Sequence, residues 1–240
     1  MAEALVLLAA GSLSAALAGI GPVADRPVEG VFGPSGLLRA RIEGGAAWDV
    51  FASADTGHPA RLHAAGLGTA PRVFCANRLA LILRAGLGGI DAAALLRRTD
   101  LRLGISTPGN DPSGDYALDA LDRLDPGLAA RALRLTGAPG LPRPPEGRNP
   151  YAWLVASGAA DLFLTYRTNA RAACADTPGL SALDLPEALQ PQAEYALTVR
   201  VGADPGAKVL ADHLLSTPVQ ARLAALGFDP AKPCHEGHAA

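Results

Sequence analysis

The chain has 240 residues, 49 % of them hydrophobic and 18 % charged, and a net charge of −2. This composition excludes a disordered chain and leaves room for one large domain or two small ones with real cores. There is no basic block, which argues against nucleic acid as a partner, and no apolar run is long enough for a transmembrane helix.

Ala4 to Ala10 is a short apolar run that ends at Gly11-Ser12 and passes into LSAALAGI, with apolar residues at helical spacing. The pattern predicts a buried strand, a Gly-Ser turn and a helix opening on that turn. Ser12 then stands where a helix start exposes unpaired N–H groups, as an N-cap or as part of an anion site. A secretory signal peptide is a poor reading of this segment, because its first residues carry Glu3 and no Lys or Arg. A signal preceding the chain and removed from it is the expectation.

The second unit repeats the first. Gly30 to Gly33 reads as a strand, Pro34-Ser35-Gly36 as the turn, and LLRARIEGG as a helix stopped at Gly44-Gly45. Trp48 to Ala52 is a third strand, and Leu79 to Leu83 (LALIL) is a strand buried on both faces. A helix near Asp91 to Arg98 and a strand from Leu101 to Ile105 follow. A Pro/Gly/Ser turn then leads to an amphipathic helix from about Gly114. A Pro/Gly-rich span from Gly137 to Gly147 precedes a helix at Pro150, for which Asn149 is a natural N-cap. Asp161 to Tyr166 is a strand ending in Arg167-Thr168-Asn169-Ala170, and Glu194 to Val199 is another strand. The last unit is helical from about Lys208 to Leu226, with a break at Ser216-Thr217-Pro218 and a stop at Gly227-Phe228. Alternating strands and helices predict an α/β fold with a mainly parallel sheet.

Neither a G-x-S-x-G elbow nor H-E-x-x-H nor a P-loop occurs, and no Ser/His/Asp set assembles around Ser12 or Ser35, so nothing argues for an enzyme. Cys75, Cys174 and Cys234 make no disulfide framework, although one bridge is open, and Cys234-His235-Glu236-Gly237-His238 lacks the supporting shell of a metal site. Serines recur instead where strands give way to helices, at Ser12, Ser35 and Ser113, and Tyr166 ends a strand. Ligands of open parallel sheets sit beyond the carboxyl ends of strands. These four residues therefore predict a site for a small, multiply charged oxyanion held by neutral donors.

With those residues in hand, the chain resembles the periplasmic molybdate-binding proteins of ABC importers. The likeness is carried by LAAGSLSAAL, FGPSGLLRARIEGGAAWDVFASAD, NRLALILRAG, DPSGDYALDALDRL, GAADLFLTYRTNA, YALTV and LLSTPVQARLAALGF, in that order along the chain. The resemblance implies the type II periplasmic-binding-protein fold, two α/β lobes joined by two crossover strands. Residues 1–80 plus 195–240 would form one lobe and 81–194 the other. It further implies a monomer in the periplasm that binds molybdate or tungstate without a cofactor or resident metal and delivers it to a membrane permease. The ligand donors would be Ser12, Ser35, Ser113 through its backbone, Tyr166, and a backbone donor at Arg148 or, one residue on, Asn149. Pro34 removes one possible N–H from the second turn, and Arg148 and Arg167 stand close to a site that the family keeps free of charge. If either arginine points inward, the ligand is a different anion. A cytoplasmic sensor built on the same fold is the other reading.

Overall fold

The computed structural model describes residues 3–231, so the Cys/His-rich tail lies outside the described residues. In chain order the first elements are β1 (Leu5–Ala10), α1 (Ser14–Leu17), β2 (Val28–Gly33), α2 (Ser35–Glu43), β3 (Val50–Ser53), α3 (Gly57–Ala64) and β4 (Arg72–Asn77). There follow β5 (Leu79–Leu83), α4 (Ala92–Arg97), β6 (Leu103–Ser106), α5 (Pro112–Leu124), β7 (Leu133–Thr136), α6 (Pro150–Ala156), β8 (Leu162–Tyr166), α7 (Arg167–Asp176) and β9 (Ser181–Asp184). The chain closes with β10 (Ala193–Val199), α8 (Pro205–Leu214), α9 (Thr217–Leu226) and β11 (Asp229–Pro230).

The strands form two sheets, one of six in the order β11-β4-β10-β3-β1-β2 and one of five in the order β7-β6-β8-β5-β9. β1 runs parallel to β2 and β3, and β6 runs parallel to β7 and β8, as strand–helix–strand units require. Both sheets are nevertheless mixed. β10 lies antiparallel between β3 and β4, and β5 lies antiparallel between β8 and β9. Helices cover both faces, which is why LALIL and VFAS are buried at every position and show no alternation.

The chain crosses between the sheets at Arg78, between β4 and β5, and returns along residues 185–192. Gln190 ties these two passages together. Its side chain accepts the Leu79 N–H at 2.8 Å and donates to the carbonyls of Leu79 and Leu185 at 3.0 and 3.1 Å. Arg78 adds to the same junction, its carbonyl accepting the Arg167 N–H at 2.7 Å.

The helix signals act as anticipated at three ends. Asp91 caps α4 and Asn149 caps α6, each carboxylate or amide oxygen accepting two backbone N–H groups, and Gly227 ends α9 with a φ of 97°. α5 begins at Pro112, two residues before the expected start, because Asp111 accepts the Ser113 N–H and acts as the cap. α7 opens at Arg167 directly after β8, a helix that the sequence pattern does not announce. Cys75 and Cys174 are both free.

Asp161 fixes the start of β8, the central strand of the five-stranded sheet. Its carboxylate receives Arg84 Nε at 2.9 Å, and Arg102 through both backbone N–H and Nε at 2.9 Å. The Arg102 hydrogen bond, ahead of the other contributions, holds its pKa down at about 2. A depressed carboxylate pKa stabilises the fold above the unfolded value, near 4, and that contribution is lost as pH falls toward the folded value. Asp161→Asn is therefore expected to lower the Tm at pH 7, and the gap between variant and parent should close between about pH 4 and pH 2 in a series of thermal melts.

Candidate functional site

Six connections, at the carboxyl ends of strands from both sheets, converge on one cavity of about 140 Å³. Gly11 and Ser12 follow β1, Pro34 and Ser35 follow β2, and Ala54 follows β3. From the other sheet come Asp111 after β6, Thr136 and Gly137 at the end of β7, and Tyr166 at the end of β8, with Tyr151 of α6 and Asn169 of α7 completing the wall. The volume suits a few heavy atoms, the scale of a small oxyanion and not of a sugar. Among the described residues neither Arg, Lys nor His lines it. Positive potential must come instead from the first turns of α2 and α7, whose leading N–H groups have no partner within the helix.

The hydrogen bonds around the cavity decide which groups still have a proton to offer. Ser35 Oγ accepts the buried Ala54 N–H at 3.1 Å, so its own hydroxyl proton is unspent. Ser12 Oγ lies 2.9 Å from the hydroxyl of Tyr195, which in turn accepts Asn77 Nδ2 at 3.3 Å. Asn77 is oriented by its Oδ1, which accepts the Arg78 N–H, and by a second bond from Nδ2 to Thr168 Oγ1 at 2.9 Å. The direction of the chain follows. Asn77 donates to Tyr195, and the buried Tyr195 hydroxyl has Ser12 Oγ as the one acceptor for its own proton among the described residues, so Tyr195 donates to Ser12 and the Ser12 proton is left for the cavity. Burial pushes the Tyr195 and Tyr166 hydroxyls well above the usual tyrosine range, so both stay neutral.

Tyr166 has a different part. Its hydroxyl donates to the Ala54 carbonyl at 3.0 Å, across from one sheet to the other, so toward the cavity it presents lone pairs. Ser113 is buried beside the cavity and does not line it. Its N–H goes to Asp111 Oδ1 at 3.1 Å and its hydroxyl to Ser106 at 2.9 Å. Arg148 is not brought to the cavity either. Its backbone N–H, the donor the resemblance implied, goes to the Pro145 carbonyl at 3.2 Å, and its side chain is exposed, 3.4 Å from Asp176 and 3.0 Å from Thr177 Oγ1. Asn149 is occupied in capping α6 and borders an adjoining chamber of about 490 Å³, which shares Gly11, Ser12, Tyr151 and Asn169 with the cavity. Arg167 points away as well, pairing with Asp229 at 2.8 Å and with the Gly227 carbonyl at 3.0 Å. The arrangement thus gathers Ser12, Ser35 and Tyr166, and leaves Ser113, Arg148 and Asn149 outside the cavity wall.

Sequence reasoning passed over Asp111, Tyr195 and Asn77. For Asp111 the signal was present, since Asp before Pro is a helix-start pair. Tyr195 and Asn77 carried none. Each follows only from β10 being inserted between β3 and β4.

An uncharacterized protein of Pasteurella multocida (strain Pm70) is 36 % identical over 180 residues, covering 71 % of this chain and 74 % of that protein. Among solved structures, the Azotobacter vinelandii periplasmic molybdate-binding protein superposes with a TM-score of 0.77 at 22 % identity, covering 95 % of this chain and 100 % of the other. The sulfate-binding protein SubI of Mycobacterium tuberculosis H37Rv gives a TM-score of 0.75 at 16 % identity, covering 97 % and 88 %. The fold is that of the type II periplasmic binding proteins. The family described as bacterial extracellular solute-binding protein matches residues 5–229, and it is a family of binding proteins, not of enzymes. The chain belongs to the bacterial extracellular solute-binding proteins.

Proposed function

We propose that the chain captures a tetrahedral oxyanion, molybdate or tungstate, in the periplasm and delivers it to the permease of an ABC importer. The observation that carries this reading is a cavity whose described wall holds no Arg, Lys or His and onto which the hydroxyls of Ser12 and Ser35 open. Donors without counter-charge suit an anion that must be released again. The two sheets with their helices act as lobes that close around it, hinged at Arg78 and at residues 185–192. Ligand favours the closed form because it touches both. Charge-assisted hydrogen bonds of roughly 1.5–3 kcal/mol each supply the bias of about 5 kcal/mol that such a population shift needs. The likeness to a molybdate-binding protein of the same fold supports the choice of anion.

Thermal melts test it. Molybdate at about a hundred times its Kd is expected to raise the Tm by roughly 5–10 °C, with tungstate alike and sulfate doing little. The likeness to a sulfate-binding protein gives the second reading, another small anion. A sulfate shift as large as the molybdate shift would favour it.

A further inference from the structure

Among the described residues Asp111 is the one carboxylate in the wall of the cavity, where the Ser12 and Ser35 hydroxyls and the helix starts favour an anion. We propose that the Asp111 carboxyl and the captured oxyanion share one proton, so that binding takes a proton up from solvent and Asp111 helps decide which oxyanions are held. This inference rests on the oxyanion reading above.

A carboxylate facing a dianion must turn away, find a cation, or gain a proton. The first route is closed by its surroundings. Asp111 Oδ1 is engaged as the cap of α5, accepting the Ser113 N–H at 3.1 Å. On its other side the backbone of Gly137, at a φ of 84°, passes so near that a methyl group there would stand 3.1 Å from the Asp111 Cβ and 3.5 Å from Oδ2. The second route finds no partner, since among the described residues no Lys, Arg or His lines the cavity. The groups that face Asp111 are the Ser106 hydroxyl from β6, the Ser113 hydroxyl and the Asp115 carboxylate on its own helix, Tyr151 from α6, Tyr166 from β8 and Tyr195 from β10. The tyrosines are neutral and Asp115 carries like charge. Burial pushes the Asp111 pKa up, against the Ser113 N–H and the serine hydroxyls, which favour the ionised form. A dianion alongside pushes it further in the same direction. The proton is the route left.

The shared proton is also a means of selection. A fully ionised oxyanion keeps the Asp111 proton in place only as far as its own oxygens are good acceptors. Sulfate and molybdate have the same shape and charge, but sulfate is the weaker base. Asp111 therefore penalises sulfate by chemistry, in addition to any difference of size.

The sign follows from linkage. Because binding raises the Asp111 pKa, affinity is greatest below the value in the empty site and falls tenfold per pH unit from there up to the value in the complex. Calorimetric titration of the full chain with sodium molybdate and with sodium sulfate, from about pH 5.5 to 8.5 and in buffers of different ionisation heat, reads both slope and proton count. The parent is expected to take up close to one proton per molybdate within the sloping range. Asp111→Asn keeps a good helix cap and supplies a permanent N–H donor. It should bind molybdate with no proton uptake and a flat pH profile, and its preference for molybdate over sulfate should shrink tenfold or more. His58, whose pKa burial lowers and which lies 3.9 Å from Asp55, is present in both proteins, so the difference between their slopes isolates Asp111. Molybdate binding by the parent without proton uptake, or an unchanged slope in Asp111→Asn, overturns this inference alone. No binding of molybdate by either protein at any pH overturns the oxyanion reading and this inference with it.

Discussion

Replacing Gly36 with alanine is expected to weaken molybdate binding by roughly a hundredfold or more, about 3 kcal/mol, without loosening the fold. Gly36 sits in the first turn of α2, on the six-stranded side, and its N–H donates to the Asn110 carbonyl of the other side at 2.8 Å. A Cβ at this position would lie 2.3 Å from the Gly109 carbonyl oxygen and 2.8 Å from that of Asn110. Both are backbone atoms, so the clash cannot be relieved by a side chain swinging aside. It can be relieved only by moving the two halves apart, which separates Ser35 from Asp111 and Tyr166. Within the helix itself alanine is the better residue by about 1 kcal/mol, so the melting temperature of the empty protein should stay level or rise. That opposition of signs distinguishes a blocked closure from simple damage. Small-angle scattering supplies the direct readout. The parent should contract on adding molybdate, and G36A should keep the radius of its empty form.

How much of this was legible in the sequence depends on what each element uses for its stability. β1 and β5 announced themselves as unbroken apolar runs, and both are buried on two faces. α7 did not, because its inward side is built of Thr168, Ala170 and Ala173, which leave no apolar stripe to read, and Tyr166 precedes it where a capping Ser or Asp would normally signal a start. α3 was hidden in the same way, with His58, Pro59 and Leu62 as its buried residues. β7 and β9 are edge strands, largely exposed, and carry too few apolar residues to stand out. In the cavity, Ser12, Ser35 and Tyr166 were readable because each directly follows or ends a strand, and parallel topology places such positions on one rim. Tyr195 was not readable. It stands 183 residues from Ser12 in sequence and reaches it only through the antiparallel placement of β10. Arg148 failed as a candidate for the converse reason, since counting back from Tyr166 assumes a spacing that the proline-rich span does not keep.

Ser35→Ala should be the more costly of the two serine truncations, in a way that separates stability from affinity. Ser12 is only half-buried at the cavity, so when it is cut back a water takes the proton that Tyr195 gave to Ser12 Oγ, and Tyr195 keeps its bond from Asn77. Ser12→Ala should therefore reduce molybdate affinity by roughly tenfold to a hundredfold, the worth of one charge-assisted bond, and leave the Tm nearly unchanged. Ser35 does two things at once. Its proton serves the cavity and its oxygen holds the buried N–H of Ala54. The same Ala54 offers its carbonyl to Tyr166 from the other sheet, so one peptide unit is gripped by a serine on one side and a tyrosine on the other. Without Ser35 that N–H is left buried and unpaired, at a cost of about 1–3 kcal/mol, and the acceptor that Tyr166 relies on is less firmly placed. Ser35→Ala is thus expected to lower the Tm of the empty protein by several degrees and to reduce affinity at least as much as Ser12→Ala does. Differential melts with and without molybdate, run on both variants, resolve the two effects, because only a residue that supports closure as well as contact moves both curves.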